Sequence, residues 1–131
     1  MAQTITPYLL YEDGEAAIEF AGRAFGFRVV DRTTGGAGGL HAELELEGSA
    51  ARLYLGQPPS GIGFRNPSAV GRTSSIYVLV DDVDAHFERA KAAGAEIIEE
   101  LNDLPFGHRR YRCADPQGHE WDFAQVIAGD G

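Results

Sequence analysis

The chain has 131 residues, 44% of them hydrophobic, and its 20 acidic and 11 basic residues give a formal net charge of −9 at pH 7. This length predicts one domain with its own core, and the negative charge argues against a nucleic acid partner, whose phosphates demand a basic surface. No apolar run approaches the roughly 20 residues that span a bilayer, and the first residues lack the pattern of a signal peptide.

The first half predicts the element order strand, helix, strand, strand, strand. Asp13 is a helix N-cap, apolar residues recur at helical spacing behind it, and Gly26 ends the helix. Pro7 cannot donate to a sheet ladder, so it either starts the first strand or precedes a strand that begins at Tyr8. The predicted elements are strands at 5–12, 27–33, 40–47 and 51–56, the helix between the first two, and a flexible turn at 35–39.

The second half repeats this order, because residues 11–24 and 80–93 are versions of each other. Internal repeats are the first feature to seek in a sequence, and two copies predict one domain built from two related halves with a cleft between them. The predicted elements are strands at 74–81, 96–101, 108–114 and 120–126 and a helix at 83–93. We therefore expect a single domain over 1–131, with modules at 4–56 and 74–127.

The segment 57–73 between the modules is rich in Pro, Gly and Ser. A loop of this length inside a compact domain is usually functional or disordered. Its apolar residues, above all Phe64, make it a candidate lid over a binding site. A plain linker between the halves is an equally open interpretation.

One cysteine, Cys113, lies in the predicted strand at 108–114 and cannot form an internal disulfide, which fits a cytoplasmic protein. Its neighbours Arg110 and Arg112 would lower the pKa of the thiol if they lay beside it. An idle thiol buried in the strand is the simpler alternative.

Two segments carry a resemblance to a known family. The run Asp81-Asp82-Val83-Asp84 opens the second helix, and the run from Asp115 through Gly118 and Trp121 to Phe123 closes the chain. The chain resembles the vicinal oxygen chelate superfamily, which contains glyoxalase I, extradiol dioxygenases and bleomycin-resistance proteins. The resemblance implies an α+β fold of two βαβββ modules with curled mixed sheets, helices on the outer face and a central cavity. It also implies a homodimer.

The metal enzymes of this superfamily hold their metal through four strand positions. By the resemblance these positions fall on Thr6, Tyr54, Ser75 and Asp122. Transition metals prefer imidazole, carboxylate or thiolate ligands, and among these four residues Asp122 alone offers one. We therefore expect neither a metal nor another cofactor, and glyoxalase or dioxygenase activity is not the expected function.

Residues of metal-ligating type also occur elsewhere in the sequence. His41 and Glu43 share one face of a predicted strand, His108 begins a strand and His119 follows the last turn. A zinc site needs three or four ligands that converge, and nothing in the spacing of these residues makes them meet. Whether a metal binds through them stays open at this point.

The sequence predicts a small-molecule-binding protein that works without metal, and sequestration of a drug is one such role. The alternative is an enzyme of the same superfamily, with unusual metal ligands or with Asp122 as general base. A third interpretation is a protein that acts mainly through its dimer surface, with a vestigial cavity. For Asp122 itself, a structural ion pair with Arg109 or Arg110 is a further alternative. The ligand is expected to be aromatic or cationic. The predicted ligand-binding residues are Thr6, Tyr8, Tyr54, Phe64, Ser75, Tyr77 and Asp122. Trp121 and Phe123 are expected in the core.

Overall fold

Each half of the chain forms a four-stranded mixed sheet that a helix covers on one face. The computed structural model describes residues 4–128, so the ends of the predicted domain at 1–3 and 129–131 lie outside the described residues. The chain divides into a first unit that ends at Asn66 and a second unit that begins at Pro67. Among residues 4–128, no helix has both the length and the apolar character to cross a membrane.

The element order of the prediction is confirmed in both units. The first unit contains β1 (Tyr8–Leu10), α1 (Gly14–Phe25), β2 (Phe27–Thr34), β3 (Leu40–Leu46) and β4 (Arg52–Gln57). The second unit contains α2 (Pro67–Val70), β5 (Ser75–Leu79), α3 (Val83–Ala92), β6 (Glu96–Asp103), β7 (His108–Ala114) and β8 (Glu120–Val126).

The two sheets share one topology. The strand orders are β1-β4-β3-β2 and β5-β8-β7-β6. In each sheet the first strand pairs in parallel with the last, and the other pairs are antiparallel. A parallel pair needs a crossover between its strands, and here the helix and two further strands supply it. The two copies of the βαβββ module are therefore related in sequence and have the same topology.

The first strand is shorter than the predicted 5–12. β1 begins at Tyr8, so Pro7 precedes the strand, as one of the two alternatives has it. Thr6 also lies outside the strand, and Ile5 is 98% exposed. The segment predicted as a loop at 57–73 contains the short helix α2.

Aspartates begin both long helices, as predicted. The Asp13 carboxylate accepts a hydrogen bond from the Ala16 amide (3.0 Å), and the Asp82 carboxylate accepts one from the Ala85 amide (3.1 Å). Such a cap satisfies one of the backbone donors that a helix leaves free at its start. At the other end of α1, Gly26 adopts the left-handed conformation with φ 84°.

A second cap comes from the last strand of each sheet and was not predicted. The amide side chain at the end of β4, Gln57, accepts a hydrogen bond from the Gly14 backbone N–H at 2.7 Å. At the end of β8, Gln125 accepts one from the Val83 backbone N–H at 2.9 Å. Each glutamine therefore ties the first turn of a helix to its own sheet.

The core of each unit lies between its helix and its sheet. In the second unit Trp121 is 1% and Phe123 0% exposed, and their rings are stacked with centroids 5.8 Å apart. Tyr111 is also fully buried and stacks on Phe123 at 5.5 Å. The expectation that Trp121 and Phe123 belong to the core is confirmed. In each unit, the candidate site residues of the strands lie on the sheet face opposite to the one that packs against the helix.

Candidate functional site

An aromatic cluster occupies the first unit, formed by Tyr8 of β1, His41 of β3 and Tyr54 of β4. Tyr8 and Tyr54 are register partners, and their rings meet edge to face with centroids 5.6 Å apart. The His41 ring lies 4.9 Å from Tyr54 and 5.4 Å from Tyr8, also edge to face. The Tyr8 hydroxyl is hydrogen-bonded to His41 Nδ1 at 2.8 Å. Edge-to-face contacts of this kind are the favoured geometry of aromatic pairs.

A pocket of about 640 Å³ opens beside this cluster. It is mostly apolar, and its polar groups come chiefly from Tyr8, His41 and Gln57. Pockets of this size and character are typical of small-molecule sites. The lining residues are Tyr8, Leu10, Thr33, Gly35, Gly39, Leu40, His41, Gly56, Gln57, Pro58 and Pro59.

Gly56 sets the position of Tyr8 in this pocket. A Cβ on Gly56 would lie 2.8 Å from a ring carbon of Tyr8 and 2.9 Å from its hydroxyl oxygen. The ring thus packs directly on the β4 backbone, and any larger residue would displace it. Gly56 and Gln57 are site residues that the sequence analysis missed. The repeat of a glutamine at the end of both closing strands was the available signal for Gln57.

Charged side chains beside the cluster neutralise one another. Arg52 makes ion pairs with Glu43 and, at 3.1 Å, with Glu45, and Arg28 also pairs with Glu45. Burial alone would raise the pKa of Glu45, but the hydrogen bonds and charges of Arg52 and Arg28 outweigh it and hold that pKa below its usual value. Glu43 is therefore engaged by an arginine of the neighbouring strand.

In the second unit Asp122 is held by two partners of its own sheet. Its carboxylate accepts hydrogen bonds from Arg112 Nε and from the Ser75 hydroxyl, each at 3.0 Å. Asp122 is 5% exposed. The interpretation as a structural ion pair named Arg109 or Arg110 as the partner, and this is corrected: the partner is Arg112, while Arg109 pairs with acids of the opposite face.

A second aromatic row lies on the same unit. The Tyr77 hydroxyl is hydrogen-bonded to His108 Nδ1 at 2.7 Å, and the His108 ring meets the Phe106 ring edge to face at 4.9 Å. Tyr77 is 42% and Phe106 52% exposed. Burial raises the pKa of Tyr77, and the charge of Arg110 partly offsets this rise. The row Tyr77–His108–Phe106 is thus an exposed aromatic surface beside an arginine.

Arg110 itself is incompletely paired. Its contacts to Glu99 come from one nitrogen, Nη2, at 3.4 Å to each carboxylate oxygen. Its buried Nε finds no hydrogen-bond partner among residues 4–128. A buried N–H without an acceptor is costly and calls for an explanation.

The predicted ligand-binding residues thus fall into separate groups. Tyr8 and Tyr54 meet in the aromatic cluster, and Asp122 bonds Ser75 and pairs in register with Tyr77. Thr6 precedes β1 and does not line the 640 Å³ pocket. Phe64 lines a different pocket of about 580 Å³, which shares Gln57, Pro58 and Pro59 with the first.

The remaining candidates do not converge. Across residues 4–128, no group of three or more His, Cys, Asp or Glu side chains is arranged to hold a metal ion. The His119 backbone N–H donates to Asp115, which also accepts from Trp121 Nε1. Of the two alternatives for Cys113, the buried idle thiol is the one observed: the thiol is fully buried, and burial, with Asp115 and other acids nearby, raises its pKa to about 12.

Comparison with known proteins gives a consistent result. Residues 4–123 match the model of the Glyoxalase/Bleomycin resistance protein/Dioxygenase superfamily. The uncharacterized protein Rv0887c of Mycobacterium tuberculosis is 36% identical over 126 residues, which are 94% of this chain and 74% of that protein. TioX from Micromonospora sp. ML1 superimposes with a TM-score of 0.71 at 33% identity, covering 96% of this chain and 100% of TioX. TnmS3, an antibiotic-binding protein from Streptomyces sp. CB03234, superimposes with a TM-score of 0.68 at 22% identity, covering 96% and 98%.

Proposed function

We propose, since this chain belongs to the Glyoxalase/Bleomycin resistance protein/Dioxygenase superfamily, that it binds a small, partly aromatic molecule without a metal. The observation that carries the proposal is the 640 Å³ pocket beside Tyr8. Its volume suits a small organic ligand, and it combines apolar walls with a few placed polar groups. The aromatic faces of Tyr8 and His41 offer stacking partners for a planar ring.

The chemistry of the four family positions supports binding without a metal. Thr6, Tyr54 and Ser75 offer neutral oxygens, which divalent transition metals bind poorly. The carboxylate at the fourth position, Asp122, accepts from Arg112 and Ser75. A metal would have to displace the arginine from its partner, so this donor set does not fit a metal.

The same contacts favour sequestration over catalysis. A general base must reach a substrate proton, and Asp122 is 5% exposed with its charge paired to Arg112. A protein that only holds its ligand needs no such group. The antibiotic-binding protein TnmS3 shares the fold, which makes an antibiotic or another drug a suitable class of ligand.

We further propose that the chain forms one cytoplasmic domain, with modules at 4–56 and 74–127 and a lid at 57–73. The family resemblance supports a homodimer. The net charge of −9 supports a ligand other than nucleic acid.

Binding of 2-naphthamide, a neutral planar aromatic probe, tests the proposed pocket. Tyr8→Ala removes an aromatic wall, and Gly56→Ala pushes the Tyr8 ring off the β4 backbone. Each should weaken the affinity about tenfold, since an aromatic contact contributes about 0.5–1.5 kcal/mol beyond its buried area. Val70→Ala is the control, because Val70 is 68% exposed and lines neither pocket. Isothermal titration calorimetry measures all four proteins.

Two outcomes would contradict the proposal. The first is an equal affinity of all four proteins for 2-naphthamide, which would place any binding elsewhere. The second is one tightly bound Zn, Ni, Fe or Mn per chain in metal analysis of the purified protein, with an activity that a chelator removes. That second result would establish the metal-dependent enzyme instead.

A further inference from the structure

In the second unit, the sheet face that carries Tyr77 also carries Arg110, a cation that uses only part of its hydrogen-bond donors. Arg110 contacts Glu99 through Nη2 alone, at 3.4 Å, which is beyond the usual length of such bonds. Glu99 is shared, because it also lies 3.8 Å from Arg112. The Arg110 side chain is 14% exposed, and its buried Nε finds no acceptor within residues 4–128. The Arg110 guanidinium is therefore weakly paired within the described chain, and a better acceptor at its Nη groups would replace the long contacts to Glu99.

The neighbouring carboxylates other than Glu99 are paired with other arginines and not with Arg110. The Asp122 carboxylate accepts from Arg112 and Ser75, so its charge is paired with an arginine other than Arg110. Glu120 lies at 3.9 Å from Arg112 and 4.0 Å from Arg72. The acids of this face are thus engaged with other arginines or shared, and Arg110 keeps unused donors.

The aromatic row lies on the same sheet as this arginine, whose charge acts on Tyr77. Arg110 pairs in register with Ala124 of β8, and Ala124 pairs with Leu79 of β5. The side chain of Tyr77 on β5 crosses β8 to reach His108 on β7, two residues before Arg110. Since the ring of Tyr77 is 42% exposed and this hydrogen bond joins it to another side chain, it can move without breaking the sheet ladder.

We infer that this face binds a planar aromatic acid, with Arg110 as the partner of its carboxylate and the row Tyr77–His108–Phe106 as the stacking surface for its ring. A carboxylate matches the guanidinium, since it carries the opposite charge and can accept two parallel N–H bonds from it. Exposed aromatic rings give the ligand's ring an apolar contact at little entropic cost. The ligand class differs from the cationic one that the sequence indicated.

This inference needs only residues of the second unit, so it does not depend on the pocket beside Tyr8. Its test compares 2-naphthoate with 2-naphthamide, which has the same ring and shape but no charge. Wild-type protein should bind the acid about tenfold more tightly than the amide, because hydrogen bonds to charged groups are the stronger ones. Arg110→Gln should abolish this preference. Arg109→Gln is the matched control. It removes the same charge from the adjacent residue, which forms exposed ion pairs with Asp84 and Asp103, and it should retain the preference for the acid.

A second measurement covers the case in which Arg110→Gln fails to fold. In wild-type protein, the Arg110 Nε–H signal in a ¹⁵N NMR spectrum should shift on addition of 2-naphthoate and stay in place with 2-naphthamide. Arg110→Lys then assigns this signal by its disappearance. The inference is overturned by an equal affinity for acid and amide, by an Nε–H signal that 2-naphthoate leaves unmoved, or by a preference that Arg109→Gln also abolishes. Amide binding that depends on Tyr8 would survive each of these results, so the proposed function and this inference fail separately.

Discussion

At the scale of single residues, the partners of Asp122 determine what its carboxylate can do. Arg112 and Ser75 donate to it from neighbouring strands, and it is 5% exposed. Removing one partner of a buried ion pair destabilises the fold, because the other partner is left uncompensated. We therefore assign Asp122 the role of joining β5, β8 and β7.

Asp122→Asn should lower the free energy of unfolding by about 1–3 kcal/mol, because Arg112 loses its charged acceptor while remaining 39% exposed to solvent. The affinity for 2-naphthamide should change less than about twofold. Urea denaturation measures the stability, and Asp84→Asn, in the exposed pair with Arg109, is the control with an expected change within about 0.5 kcal/mol. A variant as stable as the wild type but unable to bind the probe would return Asp122 to the binding site.

At the scale of elements, the glutamines that close β4 and β8 link each sheet to its helix. Gln125 supplies the acceptor for the Val83 backbone N–H, and Val83 is fully buried. Gln57 does the same for Gly14 and also donates to the Gly38 carbonyl at 3.2 Å. In the first unit, one side chain thus connects the helix start, the sheet and the turn at the pocket edge.

Gln125→Ala should lower the free energy of unfolding by about 1–2 kcal/mol, since the buried Val83 N–H would lose its acceptor. The free energy of opening that amide hydrogen exchange reports at Val83 should fall by a similar amount. Asn102→Ala removes an exposed amide side chain from β6 and should leave both quantities unchanged. If the two substitutions have the same effect, the glutamine is not a cap of consequence.

At the scale of the whole molecule, the segment 57–73 divides between the two units. The Asn66 backbone N–H donates to the Glu12 carboxylate at 2.6 Å, which ties residue 66 to the first unit. The Ser68 backbone N–H donates to the Gln117 carbonyl, and Arg72 Nε donates to the Gly118 carbonyl, both in the second unit. The Ser60 backbone N–H also donates to the Ala37 carbonyl at 2.7 Å, so the part of the segment that remains a candidate lid is narrower, between Ser60 and Asn66.

Trypsin should cut first after Arg65, whose side chain is 64% exposed and whose contact with Glu12 is 3.5 Å long. If Phe64 closes over the ligand, 2-naphthamide should slow this cut, because a bound ligand orders the segment. Mass spectrometry of timed digests measures the rate, and cleavage after Arg72 is the internal control. Equal rates with and without bound probe would refute the lid, and Phe64→Ala should then leave the affinity unchanged.

Most of the fold could be predicted from the sequence because its signals are local. Asp13 and Asp82 cap helices through atoms three residues away, and the alternation of apolar residues assigns each strand two faces. The repeat of the two halves then fixed the element order in both. Only details escaped: Pro7 shortens β1, and α2 forms in the segment expected as a loop.

The sequence by itself determined which residues face away from the core, and only the tertiary structure decided their partners. Ser75 and Asp122 could be placed by the family resemblance, and Tyr8 by its alternation relative to the mapped position Thr6. Whether Asp122 meets Arg109, Arg110 or Arg112 depends on the register between β7 and β8, which is set by packing over many residues distant in sequence. The same register leaves Arg110 with unused donors. A strand side chain such as Arg110 finds its partners on neighbouring strands, which the sequence around it does not reveal.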